Sequence, residues 1–172
     1  MVAENLNSIF MKNKILTTTR FMQSAVLVLI LSLYLFSCKN EPEPPTVDEA
    51  KAAIMEKIKL ANDKWASGDP MGFLEYAAQD IIWIDDIAAQ KPVIGYEALE
   101  KYFETLKGQI PPHEHELLDM VFQSYGNIVI VNYRYQGIFD GEPADPWKVT
   151  SVFRYQDGDW LSVHENWSLI KQ

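Results

Sequence analysis

One cysteine in 172 residues, Cys38, excludes a disulfide within the chain and a cysteine-built metal cage. The histidines number three, His113, His115 and His164. They form no paired Cys/His ligand set, and no glycine-rich phosphate loop is present, so nothing in the sequence asks for a metal or a cofactor. Basic residues are scarce, 15 against 24 acidic ones. From residue 39 onward the balance is 12 to 23, a net charge of −11, which repels phosphate backbones and excludes nucleic acid as a natural partner. Long hydrophobic runs are missing too. The most apolar stretch, AVLVLILSLYLF at residues 25–36, is too short for a comfortable transmembrane helix.

That run does have a setting. Lys12, Lys14 and Arg20 precede it and small Ser37 follows it, the layout of a secretory signal peptide. Met11 is an alternative start that gives a more ordinary leader length. The sequence LFSC, ending at Cys38, resembles a bacterial lipobox, with Phe36 bulkier than the usual residue. The resemblance implies that Cys38 becomes the first mature residue and carries acyl chains. Two chains anchor a protein stably where one is marginal. KNEPEPPTV, residues 39–47, then reads as an extended tether reaching roughly 28 Å at about 3.1 Å per residue. The expected organisation is a leader over residues 1–37, lipidated Cys38 and tether over 38–47, and one domain over 48–172, held at the cell envelope on the periplasmic side or the cell surface.

The domain begins with a capping box, Thr46 to Glu49. Ala50, Ala53, Ile54, Ile58, Ala61 and Trp65 follow on one helical stripe, which predicts a helix to about Ala66. Ser67-Gly68 ends it, and Asp69-Pro70 opens a short second helix burying Phe73, Leu74 and Ala77. DIIWID, residues 80–85, reads as a strand with Ile81, Trp83 and Asp85 on one side, and KPVIG as a short partner. Gly95 opens a third helix with Leu99, Tyr102, Phe103 and Leu106 inward, stopped by Gly108 and Pro111-Pro112. HELLDMVFQSY, NIVIVNYRYQGIF, WKVTSVFRY and WLSVHENWSLI read as four long strands, turned at Gly126-Asn127 and Asp157-Gly158, with DGEPADP as a longer hairpin loop. Three helices followed by a curled antiparallel meander make an α+β domain.

This order resembles the nuclear-transport-factor-2-like superfamily. WASGDPMGFLEYAAQDIIWID, VIGYEALEKYF and VTSVFRYQDGDWLSVHENWS each resemble a segment of that superfamily, in order, and together cover about residues 46–169. The resemblance implies three helices packed on a strongly curved antiparallel sheet around a cone-shaped cavity. It also implies a general-base aspartate near the end of the first strand, at Asp85. The ketosteroid-isomerase branch needs an oxyanion tyrosine and a protonated acid as well. Their positions fall on Ala61 and Ser151, and neither residue fills the role. Each lost donor of this kind costs about 10²–10³-fold, so steroid isomerisation is not expected.

Strand alternation with the family's orientation turns His164, Asn166 and Ser168 inward. Asp85 and His164 then form a candidate acid/base pair for a lyase, cyclase or isomerase. Trp65, Trp83, Tyr133, Tyr135, Trp147, Ser151 and Asn166 are expected to line the pocket. HEHE, residues 113–116, puts two histidines on one side of a strand without a third ligand, and the preceding prolines suit an exposed strand entry. Leu161, Val163, Trp167 and Leu169 are expected outward, forming an apolar face that a homodimer would cover. The leading functional reading is an anchored pocket for a small apolar or amphipathic molecule. An enzyme using Asp85 and His164, and an interaction domain with a closed pocket, are the alternatives.

Overall fold

The structure is a computed structural model describing residues 43–87 and 91–171. Cys38, the leader and the tether up to residue 42 lie outside the described residues. A compact unit runs Glu41–Gln172, and the hydrophobic core of the described residues lies within it.

Helix α1, Val47–Ala66, starts at Thr46, whose hydroxyl accepts from the Glu49 amide while Glu49 answers the Thr46 amide at 2.9 Å. The predicted stripe is buried at Ala50, Ile54, Ile58 and Ala61, and Asn62 is buried beside it. The next turn, Pro70–Tyr76, is a 3₁₀ helix capped by the Asp69 side chain on the Met71 amide at 2.9 Å. Proline fixes its first position and Phe73 and Leu74 fill the core. Gly95, at φ 90°, starts helix α2, Tyr96–Leu106, where a side chain would be strained. Leu99 and Phe103 of α2 are fully buried.

Seven strands form one curved, open sheet: β1 Ala77–Asp85, β2 Val93–Ile94, β3 Glu114–Tyr125, β4 Ile128–Phe139, β5 Glu142–Pro143, β6 Trp147–Gln156 and β7 Asp159–Leu169. The order is β2-β1-β7-β6-β4-β3, with β5 on the edge of β4. The sheet is mixed rather than wholly antiparallel, because β1 runs parallel to β7. The two strands are joined through α2 and the meander, a connection long enough to permit parallel pairing.

The register of the sheet shifts at three places, between Ala77 and Ile82 where β1 meets β7 and at two bulges. In β3 the register shifts between Leu118 and Val121, where Asp119 takes φ 54°. In β7, Ser162 faces Phe153 and His164 faces Val152, so Val163 is one residue extra. A one-residue slip exchanges the two faces of a strand. Trp160 and Ser162 point to the core before the bulge, and Glu165 and Trp167 after it.

The core lies between the helices and the concave side of the sheet. Phe103 is central to it, with ring centroids 5.0 Å from Trp83 and 6.3 Å from Phe73. Truncation to Phe103→Ala should cost about 3–5 kcal/mol in urea unfolding of the Glu41–Gln172 unit. A loss under 1 kcal/mol would show that the helix layer is not packed as described.

Candidate functional site

Asp85 ends β1 on the concave side with Ile81 and Trp83, at 6% exposure. Three donors converge on its carboxylate. Trp83 Nε1–H reaches Oδ2 at 2.7 Å, Tyr102 O–H reaches the same oxygen at 2.6 Å, and the Ile87 amide reaches Oδ1 at 2.9 Å. The Ile87 bond is an aspartate side chain closing the turn that follows its own strand. Tyr102 comes from the inward face of α2. Burial, reinforced by the bond to Asp85, holds its phenol well above the usual tyrosine range.

In front of Asp85 lies a cavity of about 280 Å³. Trp65, Phe73, Trp83 and Trp167 form its inner wall, with Tyr135, Phe139 and Trp147 beside them. These rings brace one another. Trp83 stacks on Trp167 at 5.9 Å, and Phe73 meets both edge-on at 5.2 and 5.5 Å. Ile87, Gln109, Ala144 and Asp145 form an exposed rim. The aromatic side chains therefore wall the cavity and leave it open.

His113 reaches the cavity as well, which corrects the exposed strand entry expected of HEHE. Its Nδ1 lies 2.8 Å from the Pro111 carbonyl, an acceptor only, so Nδ1 carries the proton. In the neutral ring Nε2 then accepts from Tyr135 O–H at 2.6 Å. The imidazole stacks on Phe139 with centroids 4.5 Å apart. Gly137 makes this possible, because a Cβ there would stand 3.0 Å from Phe139 and 3.4 Å from His113. The glycine inside the long β4 pattern was the available sign of a close approach. Among the described residues, no group of three or more His, Cys, Asp or Glu is placed to hold a metal ion.

The expected Asp85–His164 pair does not form. Past the β7 bulge, His164 registers with Ile82 of β1 and Val152 of β6, on the convex face, whereas Asp85 registers with Trp167. Asn166, paired with Ile84 and Thr150, lies on that convex face too and does not line the pocket. Trp167, expected outward, is an inner wall. All three follow from the extra residue Val163. Trp65, Trp83, Tyr135 and Trp147 line the cavity, whereas Tyr133 and Ser151 face inward away from its lining.

Tyr133 and Ser151 belong to a buried polar cluster around Glu165, which the bulge turns inward together with Trp167. Ser151 and Ser162 hydroxyls donate to the two oxygens of Glu165 at 2.5 and 2.7 Å. Asn62 Nδ2 donates to the Ile58 carbonyl at 2.7 Å and approaches Tyr133 Oη at 3.5 Å. Burial pushes the Glu165 carboxyl up to about 7, against the two serine hydroxyls, which favour its charged form.

The folded state therefore holds the Glu165 proton more tightly than the unfolded chain does. Its contribution is full below the unfolded value near 4.5 and is lost as pH rises through about 7. Relative to Glu165→Gln, the wild type should lose roughly 3 kcal/mol between pH 4 and pH 8 in urea unfolding. Parallel pH profiles of the two proteins would contradict the buried acid.

No match is found among curated proteins. Among solved structures the chain is similar to a candidate ketosteroid isomerase from Parabacteroides distasonis. The two are 28% identical, the match covers 66% of this chain and 85% of that one, and the TM-score is 0.57. It is similar in fold to a nuclear-transport-factor-2-like protein of unknown function from Pseudomonas putida, at 21% identity, covering 74% and 92%, with a TM-score of 0.65. The same holds for the S. rosetta CaMKII hub, at 21% identity, covering 74% and 99%, with a TM-score of 0.55. The SnoaL-like domain family matches residues 59–163, more than half of the chain, and the chain belongs to that family.

Proposed function

We propose that this chain is a lipid-anchored domain of the cell envelope whose cavity binds a small molecule with an apolar body. The observation that carries the binding reading is the occupied state of Asp85. Three protein donors already use three of the roughly four acceptor sites of its carboxylate, whereas a general base must offer a lone pair to its substrate. Around it stand four tryptophans and little polar surface, the usual make-up of a small-molecule pocket. The open mouth weighs against an interaction domain with a closed pocket.

Titrating Glu41–Gln172 with the neutral dye N-phenyl-1-naphthylamine should give saturable one-to-one binding. Ala144→Trp at the rim should weaken it about tenfold or more by filling the mouth, with the melting temperature unchanged. Absent saturation, or equal binding by the variant, would sink the pocket reading.

A second reading keeps some support from His113, whose ring faces the same cavity as Asp85 with Tyr135 as its partner. In it, an acid/base enzyme uses Asp85 and His113 instead of Asp85 and His164. Turnover that survives in both Asp85→Asn and His113→Ala would end it.

The anchor is tested separately. Cys38→Ser should move the full chain from the membrane fraction to the soluble fraction, and an unchanged distribution would overturn the lipoprotein assignment. A homodimer through the convex face, where Ile82, Ile84, Ile130 and Val152 lie half-buried, remains part of the proposal. Gel filtration showing a monomer at micromolar concentration would remove it.

A further inference from the structure

One polar group in the cavity wall has its hydrogen-bonding sense set by the chain behind it. His113 Nδ1 lies 2.8 Å from the Pro111 carbonyl, which only accepts, so Nδ1 carries the proton of the neutral ring. Nε2 is then bare, and the phenol proton of Tyr135 fills the 2.6 Å contact between them. A phenol has one proton. Tyr135 is therefore spent as a donor, and its oxygen can only accept. Among the described residues no N–H or O–H donates to that oxygen. Burial holds the phenol above the usual tyrosine range, which keeps it neutral.

The oxygen is also held in place. The Tyr135 side chain is 3% exposed, stacked on His115 at 5.3 Å and edge-on to Trp167 at 5.9 Å. His113 is fixed by its own stack on Phe139. Both members of the pair line the cavity. A molecule that fills the cavity strips solvent from the phenol oxygen, and a buried acceptor left without a donor is costly.

Uncharged ligands meet this oxygen in different ways. A ketone, ether or ester brings only lone pairs and sets oxygen against oxygen. A hydrocarbon leaves the phenol oxygen unpaired. A hydroxyl donates to it. It extends a chain of bonds from ligand O–H to Tyr135 O–H to His113 Nε2, with Nδ1–H on the Pro111 carbonyl, and each bond polarises the next.

Resting on the pocket reading above, we infer that Tyr135 is the acceptor for a hydroxyl of the cavity's ligand, a small apolar molecule bearing an O–H group. The aromatic walls supply affinity, and the Tyr135–His113 pair selects the sense of the hydrogen bond.

The test uses three probes of one size on the full chain in nonionic detergent at pH 8: p-cresol, p-xylene and 4-methylanisole. Dissociation constants come from calorimetric titration. The cresol preference is the p-xylene Kd divided by the p-cresol Kd, and the anisole preference is defined likewise. Probe uptake by detergent is the same for wild type and variants, so it cancels when their preferences are compared. Tyr135→Phe keeps the ring and removes the oxygen. It should lower the cresol preference about fivefold and leave the anisole preference unchanged. His113→Phe keeps a ring against Phe139 and frees the Tyr135 proton. It should raise the anisole preference about fivefold, because the phenol can then donate. A cresol preference that survives Tyr135→Phe overturns the acceptor assignment and leaves the pocket standing. An anisole preference that falls in Tyr135→Phe overturns it too, since Tyr135 would then be donating to the ligand. If Tyr135→Phe fails to fold, an anisole preference unmoved by His113→Phe overturns the assignment. No saturable binding of any probe overturns the pocket reading with it.

Discussion

Between Ser162 and His164 the last strand carries one residue more than the strand beside it. That residue, Val163, sets what the concave side of the sheet contains. Upstream of it Trp160 and Ser162 face the core. Downstream, Glu165 and Trp167 do, and His164 and Asn166 are turned to the convex side. Without the bulge the cavity would lose Trp167, the ring that stacks on Trp83 and meets Phe73 and Tyr135. The buried serine–glutamate cluster would lose its acid. Both the aromatic wall and the polar core thus depend on one local irregularity, the usual role of bulges near sites.

The site follows from how three elements meet. β1 delivers Trp83 and Asp85 by simple alternation, α2 delivers Tyr102 at helical spacing, and the turn after β1 returns the Ile87 amide to the same carboxylate. The His113–Tyr135 pair closes the opposite side over Gly137. These contacts hold the polar groups rigidly inside an apolar wall. On the proposed reading that arrangement serves recognition rather than proton transfer, since most acceptor sites of the carboxylate are already committed.

Much of this was readable from residue patterns. The capping box, the Gly95 helix start, the strand pairs and the inward set Ile81, Trp83 and Asp85 all rest on local chemistry with short-range causes. The misreadings have longer-range causes. Val163 and His164 carry no glycine or proline to mark a bulge, so alternation ran on through them and exchanged the faces of His164, Asn166 and Trp167. The parallel pairing of β1 with β7 joins residues some 80 positions apart, as with Ile82 and His164, and leaves no local trace. His113 was obscured by the prolines before it. Its sign was a glycine far along the chain, which gains meaning only once β3 and β4 are paired.

The account centres on a cavity that four of the five tryptophans share. Trp65, Trp83, Trp147 and Trp167 line it, while Trp160 packs against Tyr155 outside that lining. The most direct measurement is the response of the five indole N–H resonances of Glu41–Gln172 as an apolar ligand is added. The account predicts that four resonances shift together and saturate while that of Trp160 stays in place. A shift confined to Trp160, or no saturable shift among the four, would contradict it.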